Sequence, residues 1–172
     1  QVPHWRSYLD VADAILTDIY PVAGAAADGY LWPDLSDAIA RAFRSLRSNT
    51  SRPLMLVMQA FGSSQTWARS PSVQELRLMA YTSLIEGGQG LFFFHMEDPA
   101  TSAGLPSLPI PPHGGVNERQ RSPNSPNSWN ELRRLALEVG EMTTGLLSTA
   151  APLQVSSSSG TIKARCMVEG AG

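Results

Sequence analysis

Two short apolar runs constrain this chain more than any other feature. The first is Pro53-Leu-Met-Leu-Val-Met-Gln-Ala-Phe61 and the second is Gly90-Leu-Phe-Phe-Phe-His-Met96. Both are apolar on nearly every residue rather than on alternate ones. That pattern suits strands buried on both faces of a parallel sheet. A stretch with helix signals lies between them, so residues 53–97 form a βαβ unit. Polar residues gather where each run stops: Gln59, Trp67 and Arg69 after the first, His95, Glu97 and Asp98 after the second. In α/β folds the C-terminal ends of the strands carry the chemistry.

The rest of the chain extends this alternation. Residues 14–19 read as an earlier strand, ended by Pro21, which has no N–H to give a ladder. A helix starts near Asp34 or Ser36, both good N-caps, with Leu35, Ile39, Phe43 and Leu46 on one face and an Asp37–Arg41 pair on the other. Pro71 and the capping box Ser72-Val-Gln-Glu75 open a second helix. Its inner face is Leu76, Met79, Ala80 and Ser83, and Gly87-Gly88 stops it by accepting the left-handed conformation. A proline-rich loop spans 98–127. A last helix opens with the capping box Ser128-Trp-Asn-Glu131 and carries the stripe Leu132, Leu135, Val139, Met142 and Leu146, weakened at Gly140. Residues 161–169 alternate strictly, as a half-buried antiparallel strand does.

Composition excludes several functions. The chain has 172 residues and a net charge of −2 with no Lys/Arg cluster, which argues against nucleic acid as a partner. No apolar stretch approaches the roughly 20 residues that span a bilayer. A single cysteine, Cys166, excludes an internal disulfide and a cysteine-based metal cluster, and three scattered histidines make no metal site. No cofactor is expected. Gly87-Gly88-Gln89-Gly90 follows a helix and precedes a strand, the wrong end of the sheet for cradling a phosphate. Asn49-Thr50-Ser51 fits a glycan acceptor, so an extracellular or secreted location is expected. The start at Gln1-Val-Pro3 and the end at Glu169-Gly-Ala-Gly172 lead us to expect a piece of a longer protein.

Several segments taken together resemble a known family. Asp18-Ile-Tyr-Pro21, Gln59-Ala-Phe-Gly62, Arg69-Ser-Pro-Ser72 leading into Glu75-Leu-Arg-Leu-Met-Ala-Tyr81, and Glu86-Gly-Gly-Gln-Gly-Leu-Phe-Phe-Phe94 are similar to the C-terminal half of TIM-barrel glycoside hydrolases, of the clan-A-like β-galactosidase type. The resemblance implies an α/β fold: residues 1–150 as the last three βα units of a partial (β/α)8 barrel, with strands six, seven and eight. Residues 151–172 would begin a β-sandwich-like, all-β accessory domain. The rest of the barrel would come from upstream sequence. The implied function is cleavage of O-glycosidic bonds in a carbohydrate substrate by carboxylate acid/base catalysis. The alternatives are a non-catalytic carbohydrate-binding or scaffold barrel, or another barrel hydrolase. Where that family carries a nucleophilic glutamate on strand seven, this chain has Gln59, and strand four would lie upstream.

The candidate site follows from the strand ends. Asp18 and Glu97 are the expected catalytic carboxyl groups, against the plainer reading of a turn aspartate and a solvated loop carboxylate. Tyr20, Gln59, Phe61, Trp67 and His95 are the expected substrate-binding residues. The aromatic rings would stack on flat sugar faces while polar groups meet the hydroxyls. Gln59 sits in a run with no other polar atom, so its amide needs partners, either in a core network or in a substrate. Without a second assembled carboxyl group this chain alone is expected to bind sugar rather than cleave it.

Overall fold

The first apolar run forms the middle of a sheet. Leu54–Gln59 (β2) is flanked by Ile15–Ile19 (β1) and Gly90–Phe94 (β3), all parallel, in the order β1-β2-β3. The structure is a computed structural model and describes residues 8–9, 11–22, 34–61, 70–94, 128–148, 155 and 164–167. Register assigns the faces. Ile15, Thr17 and Ile19 stand beside Leu54, Leu56 and Met58, and these beside Leu91 and Phe93. Successive side chains of a strand point to opposite faces. Leu16 and Asp18 therefore share the other face with Met55, Val57, Gln59, Phe92 and Phe94.

The helices cover the first of these faces. In Leu35–Arg47 (α1), Ile39, Phe43 and Leu46 join Leu54, Leu56 and Met58 in the core. In Val73–Ile85 (α2), Leu76, Met79 and Ala80 enter the same cluster. Each such aliphatic or aromatic side chain contributes about 1.5–3 kcal/mol when fully buried. The expected start signals are used: the Asp34 carboxylate accepts from the Ser36 and Asp37 amides, and Ser72 and Glu75 form a reciprocal capping box. Asp37 pairs with Arg41 on the outer side of α1.

The turn from α2 to β3 is fixed by its two glycines. Gly87 has φ +98°, its N–H donates to Leu84 O, and the Gly88 N–H donates to Ser83 O at 2.7 Å. That pair of bonds is a Schellman stop, which satisfies two carbonyls the helix would otherwise leave open. Arg47 donates to Gly87 O at 2.9 Å, and Arg44 meets Glu86 with two guanidinium nitrogens, so α1 grips the same turn.

Ser128–Glu141 (α3) inserts Leu132 and Leu135 into the core and is held to α2 by charge. Arg77 donates to Glu131 at 2.7 Å and to Glu138 at 2.8 Å, and the Tyr81 hydroxyl donates to Glu138 at 2.5 Å. The Glu131 carboxylate meets Arg77 and Arg134 at the helix seam, while the Ser128 side chain of the expected capping box lies outside what the structure describes. The stripe reaching Leu146 does not run through one helix. The chain breaks at Met142, whose N–H reaches back three residues to Val139, and Thr143–Leu147 (α4) continues separately with Leu146 buried. Gly140 lies just before the break, and among the described residues nothing beyond the helix's own backbone and its neighbours in the chain stands within 4 Å of where a Cβ would be, so no packing from outside stiffens the helix there.

The expected partial barrel is overturned. The described residues form a small α/β domain with a three-stranded parallel sheet open at both edges, and among them there are no (β/α)8 units. In a closed barrel the face opposite the helices is a packed interior. Here that face leaves Leu16, Phe92 and Phe94 each about half exposed, at 50%, 49% and 47%. The alternation β-α-β-α-β is common to barrels and open sheets. Closure depends on strand number, tilt and stagger, which local pattern does not carry. The expected beginning of an all-β domain lies largely outside the described residues. Of residues 151–172, the described ones are 155 and 164–167, with an isolated bridge at Cys166. Arg165 donates to Leu84 O at the end of α2, and Met167 packs on Gly145 of α4, so both lean on the α/β unit.

Two predictions follow from these seams. A Cβ on Gly88 would meet Ser83 O at 2.7 Å and the Phe43 ring at 3.0 Å. Gly88→Ala should lower the stability read from urea denaturation by about 1–3 kcal/mol; an unchanged midpoint would show that the turn yields freely. The bond from Arg77, followed by that from Tyr81, holds the Glu138 carboxyl below its ordinary range. A carboxyl depressed in the folded state stabilises fully above its unfolded value of about 4.3 and less as pH falls through the native one. Glu138→Gln should therefore lower the melting temperature at pH 7, with the difference from the parent chain closing on acidification. A difference independent of pH would contradict this.

Candidate functional site

The C-terminal ends of the three strands gather aromatic rings. Tyr20 follows β1, Phe61 follows β2 by two residues, and Phe94 ends β3. Parallel register brings them level, because Ile19 pairs with Met58 and Gln59 with Phe94. The Ala60 N–H donates to Phe94 O at 2.6 Å and ties the β2 and β3 ends together. Tyr20 stands edge-on to Phe61, with centroids 5.0 Å apart and planes at 82°, and lies nearly parallel to Phe94 at 5.8 Å and 23°. Phe61 and Phe94 meet edge to face at 5.7 Å. Such geometries suit the ring quadrupoles and are worth about 0.5–1.5 kcal/mol per pair beyond burial. Phe61 is the buried base of the cluster and Phe94 its exposed member.

Asp18 stands on the same face as Tyr20, two residues and about 7 Å earlier along the strand. Its side is exposed, next to Val57 in register. Partial burial, and then the negative charge of Asp18, raise the Tyr20 phenol above its ordinary value. The hydroxyl is thus protonated at neutral pH and can both donate and accept. An exposed carboxylate, a protonated phenol and an exposed ring on one face can accept hydroxyl hydrogens and stack against an apolar face of a ligand.

Gln59 has a different place from the one expected. It is fully buried, and its amide is taken up inside the protein. Oε1 accepts from the Val22 N–H at 2.9 Å, while Nε2 donates to Val22 O at 3.0 Å and to Phe61 O at 3.2 Å. It clamps the chain leaving β1 to the chain leaving β2 and so holds Tyr20 beside Phe61. The amide is chemically specific here. Its surroundings offer one donor and two acceptors, and a carboxylate would point an oxygen at two carbonyls. Glutamate is therefore disfavoured at this position by local chemistry. Gln59 is a positioning residue rather than a ligand for sugar.

Of the remaining expected residues, Asp18, Tyr20 and Phe61 come together at one end of the sheet. Trp67, His95 and Glu97 lie outside the described residues. Phe94 and Val22 are not among the expected site residues. Parity would have found Phe94, because a residue level with Gln59 and on the same face has to meet whatever follows β1 and β2. Among the described residues no cluster of His, Cys, Asp and Glu could hold a metal ion.

The clamp is testable apart from any ligand. Gln59→Leu keeps the volume but removes the partners that the amide gives the buried Val22 N–H and carbonyl, at about 1–3 kcal/mol for each group left unsatisfied. We expect a loss on the order of 3 kcal/mol in chemical denaturation. A variant of parental stability would return Gln59 to the list of ligand-binding side chains.

No protein-family model, curated protein or solved structure matches this chain. Its function is therefore argued from the chemistry of this site.

Proposed function

We propose that the chain binds carbohydrate at the C-terminal ends of its strands. The observation that carries this reading is the exposed Phe94 ring, stacked with Tyr20 on a buried Phe61, with the Asp18 carboxylate on the same face. A pyranose presents apolar C–H faces and a rim of hydroxyls. An aromatic face takes the first, and a carboxylate with a phenol takes the second. The cluster is pre-organised by ring packing and by the Gln59 clamp, which lowers the ordering cost of binding.

Glycosidic cleavage is a second reading, favoured by the exposure of Asp18. It requires a partner carboxyl group about 5–5.5 Å away for retention, or about 6.5–9.5 Å for inversion. Among the described residues Asp18 is the one carboxylate on this face. Glu97, the expected partner, lies outside the described residues.

Titration of the isotopically labelled chain with short gluco-, galacto- and xylo-oligosaccharides should shift the resonances of Tyr20, Phe94 and Asp18 together. Phe94→Ala and Asp18→Asn should each weaken binding by about tenfold, the equivalent of about 1.4 kcal/mol. Aryl glycosides should not be turned over by this chain. Absence of any saccharide-dependent shift at millimolar concentration would overturn the proposal. Turnover abolished by Asp18→Asn would promote the second reading over the first.

A further inference from the structure

Among the described residues β1 is an edge strand, and its outer side faces a cleft. The Ile15 N–H donates to Pro53 O at 2.8 Å, which sets the parity of the parallel ladder. Ile15, Thr17 and Ile19 turn their backbone groups to β2, so those of Leu16 and Asp18 turn outward. Neither Leu16 nor Asp18 has a backbone hydrogen bond to another of the described residues along this edge. The cleft beside it has a volume of about 520 Å3. Tyr8, Leu9 and Ala12 wall it on one side, Ala42, Ser45 and Leu46 of α1 on the other, and residues 14–18 run along it. Its size falls in the range of ligand-binding clefts. Its wall is mainly apolar, with small residues at Ala12, Ala42 and Ser45, and outward backbone donors and acceptors lie along β1.

We propose that the outer edge of β1 is a strand-addition site for an extended, basic peptide segment of another protein. An edge row of N–H and C=O groups is a template for one more strand. The small side chains of Ala12, Ala42 and Ser45 leave room beside the edge for a second backbone. Charge selects the occupant. Asp13 and Asp18 flank the edge and make no ion pair among the described residues. The neighbouring cations of α1 are engaged elsewhere: Arg41 with Asp37, Arg44 with Glu86, and Arg47 with the carbonyls of Arg52 and Gly87. The edge is therefore acidic. A second copy of the chain would bring two acidic edges together, whereas lysine or arginine on an incoming strand would be drawn to this one.

The probe is a fluorescein-labelled octapeptide in which valine alternates with lysine and threonine, titrated by anisotropy against the full chain. We expect saturable binding that weakens with added salt. Methylating alternate backbone nitrogens of the peptide, or replacing its lysines by glutamate, should each reduce affinity by at least about tenfold. Leu16→Pro removes an outward N–H without touching the ladder to β2, a position where an edge strand tolerates proline; it should reduce affinity by a similar factor. Ser45→Arg, which crowds the cleft without altering β1, should do the same, and Asp13→Lys should remove the salt dependence in part. Circular dichroism melts of each variant separate loss of binding from loss of fold. Equal binding of the N-methylated and parent peptides would overturn the proposal, as would no binding at all. Self-association by sedimentation velocity that is lost on Leu16→Pro would also overturn it, because the occupant would then be a second copy.

Discussion

The structure depends on the burial of one face of β2. Leu54, Leu56 and Met58 are wholly covered by Ile39 and Phe43 of α1 and by Leu76 and Met79 of α2. With a side-chain period of two, a slip of one residue would turn that set toward solvent and Met55, Val57 and Gln59 inward. Register is thus strongly specified, and β1 and β3 inherit it through their ladders. The placement of Asp18, Tyr20 and Phe94 on one face, and of the outward backbone of Leu16 and Asp18, is a consequence of that single packing decision.

Local signals in this chain were legible because local chemistry causes them. Asp34, Ser72 and Glu75 cap helices since their side chains reach amides two or three residues away. Gly87 and Gly88 end α2 since one residue there takes a positive φ and the next approaches Ser83 O too closely for a side chain. The three strands followed from the same kind of reading. Closure of the sheet did not, because it is a property of the whole assembly of strands. The apolar triplet Phe92-Phe93-Phe94 suggested burial on both faces, yet Phe92 and Phe94 are about half exposed and Phe93 packs on the core. Three aromatic residues in succession report high strand propensity, not which face is covered.

Long-range polar pairing was the other blind spot. Arg77 meets Glu138 across 61 positions of sequence, and Gln59 meets Val22 across 37. Glu131 sits where the capping box is expected, and its nearly buried carboxylate also faces Arg77 across the α2–α3 seam, a contact that no local signal carries. Gln59 shows the converse. Its need for partners was readable from its apolar surroundings, while the choice between a core network and a ligand was not. The choice rests on the carbonyls of Val22 and Phe61, which no sequence pattern places beside it. The candidate site was thus half visible: Asp18, Tyr20 and Phe61 from their positions after strands, but neither Phe94 nor the clamp that aligns them.

An open sheet with β1 at its edge underlies both the correction to the fold and the reading of its surfaces. Residue-resolved amide hydrogen exchange of the unliganded chain tests it most directly. The account predicts a period-two pattern along β1, with the Thr17 and Ile19 amides slowed by their bonds to β2 and the Leu16 and Asp18 amides exchanging fast. Uniform slow exchange from Ile15 to Ile19 would mean that a further strand already lies against β1, and would contradict the open-edged domain described here.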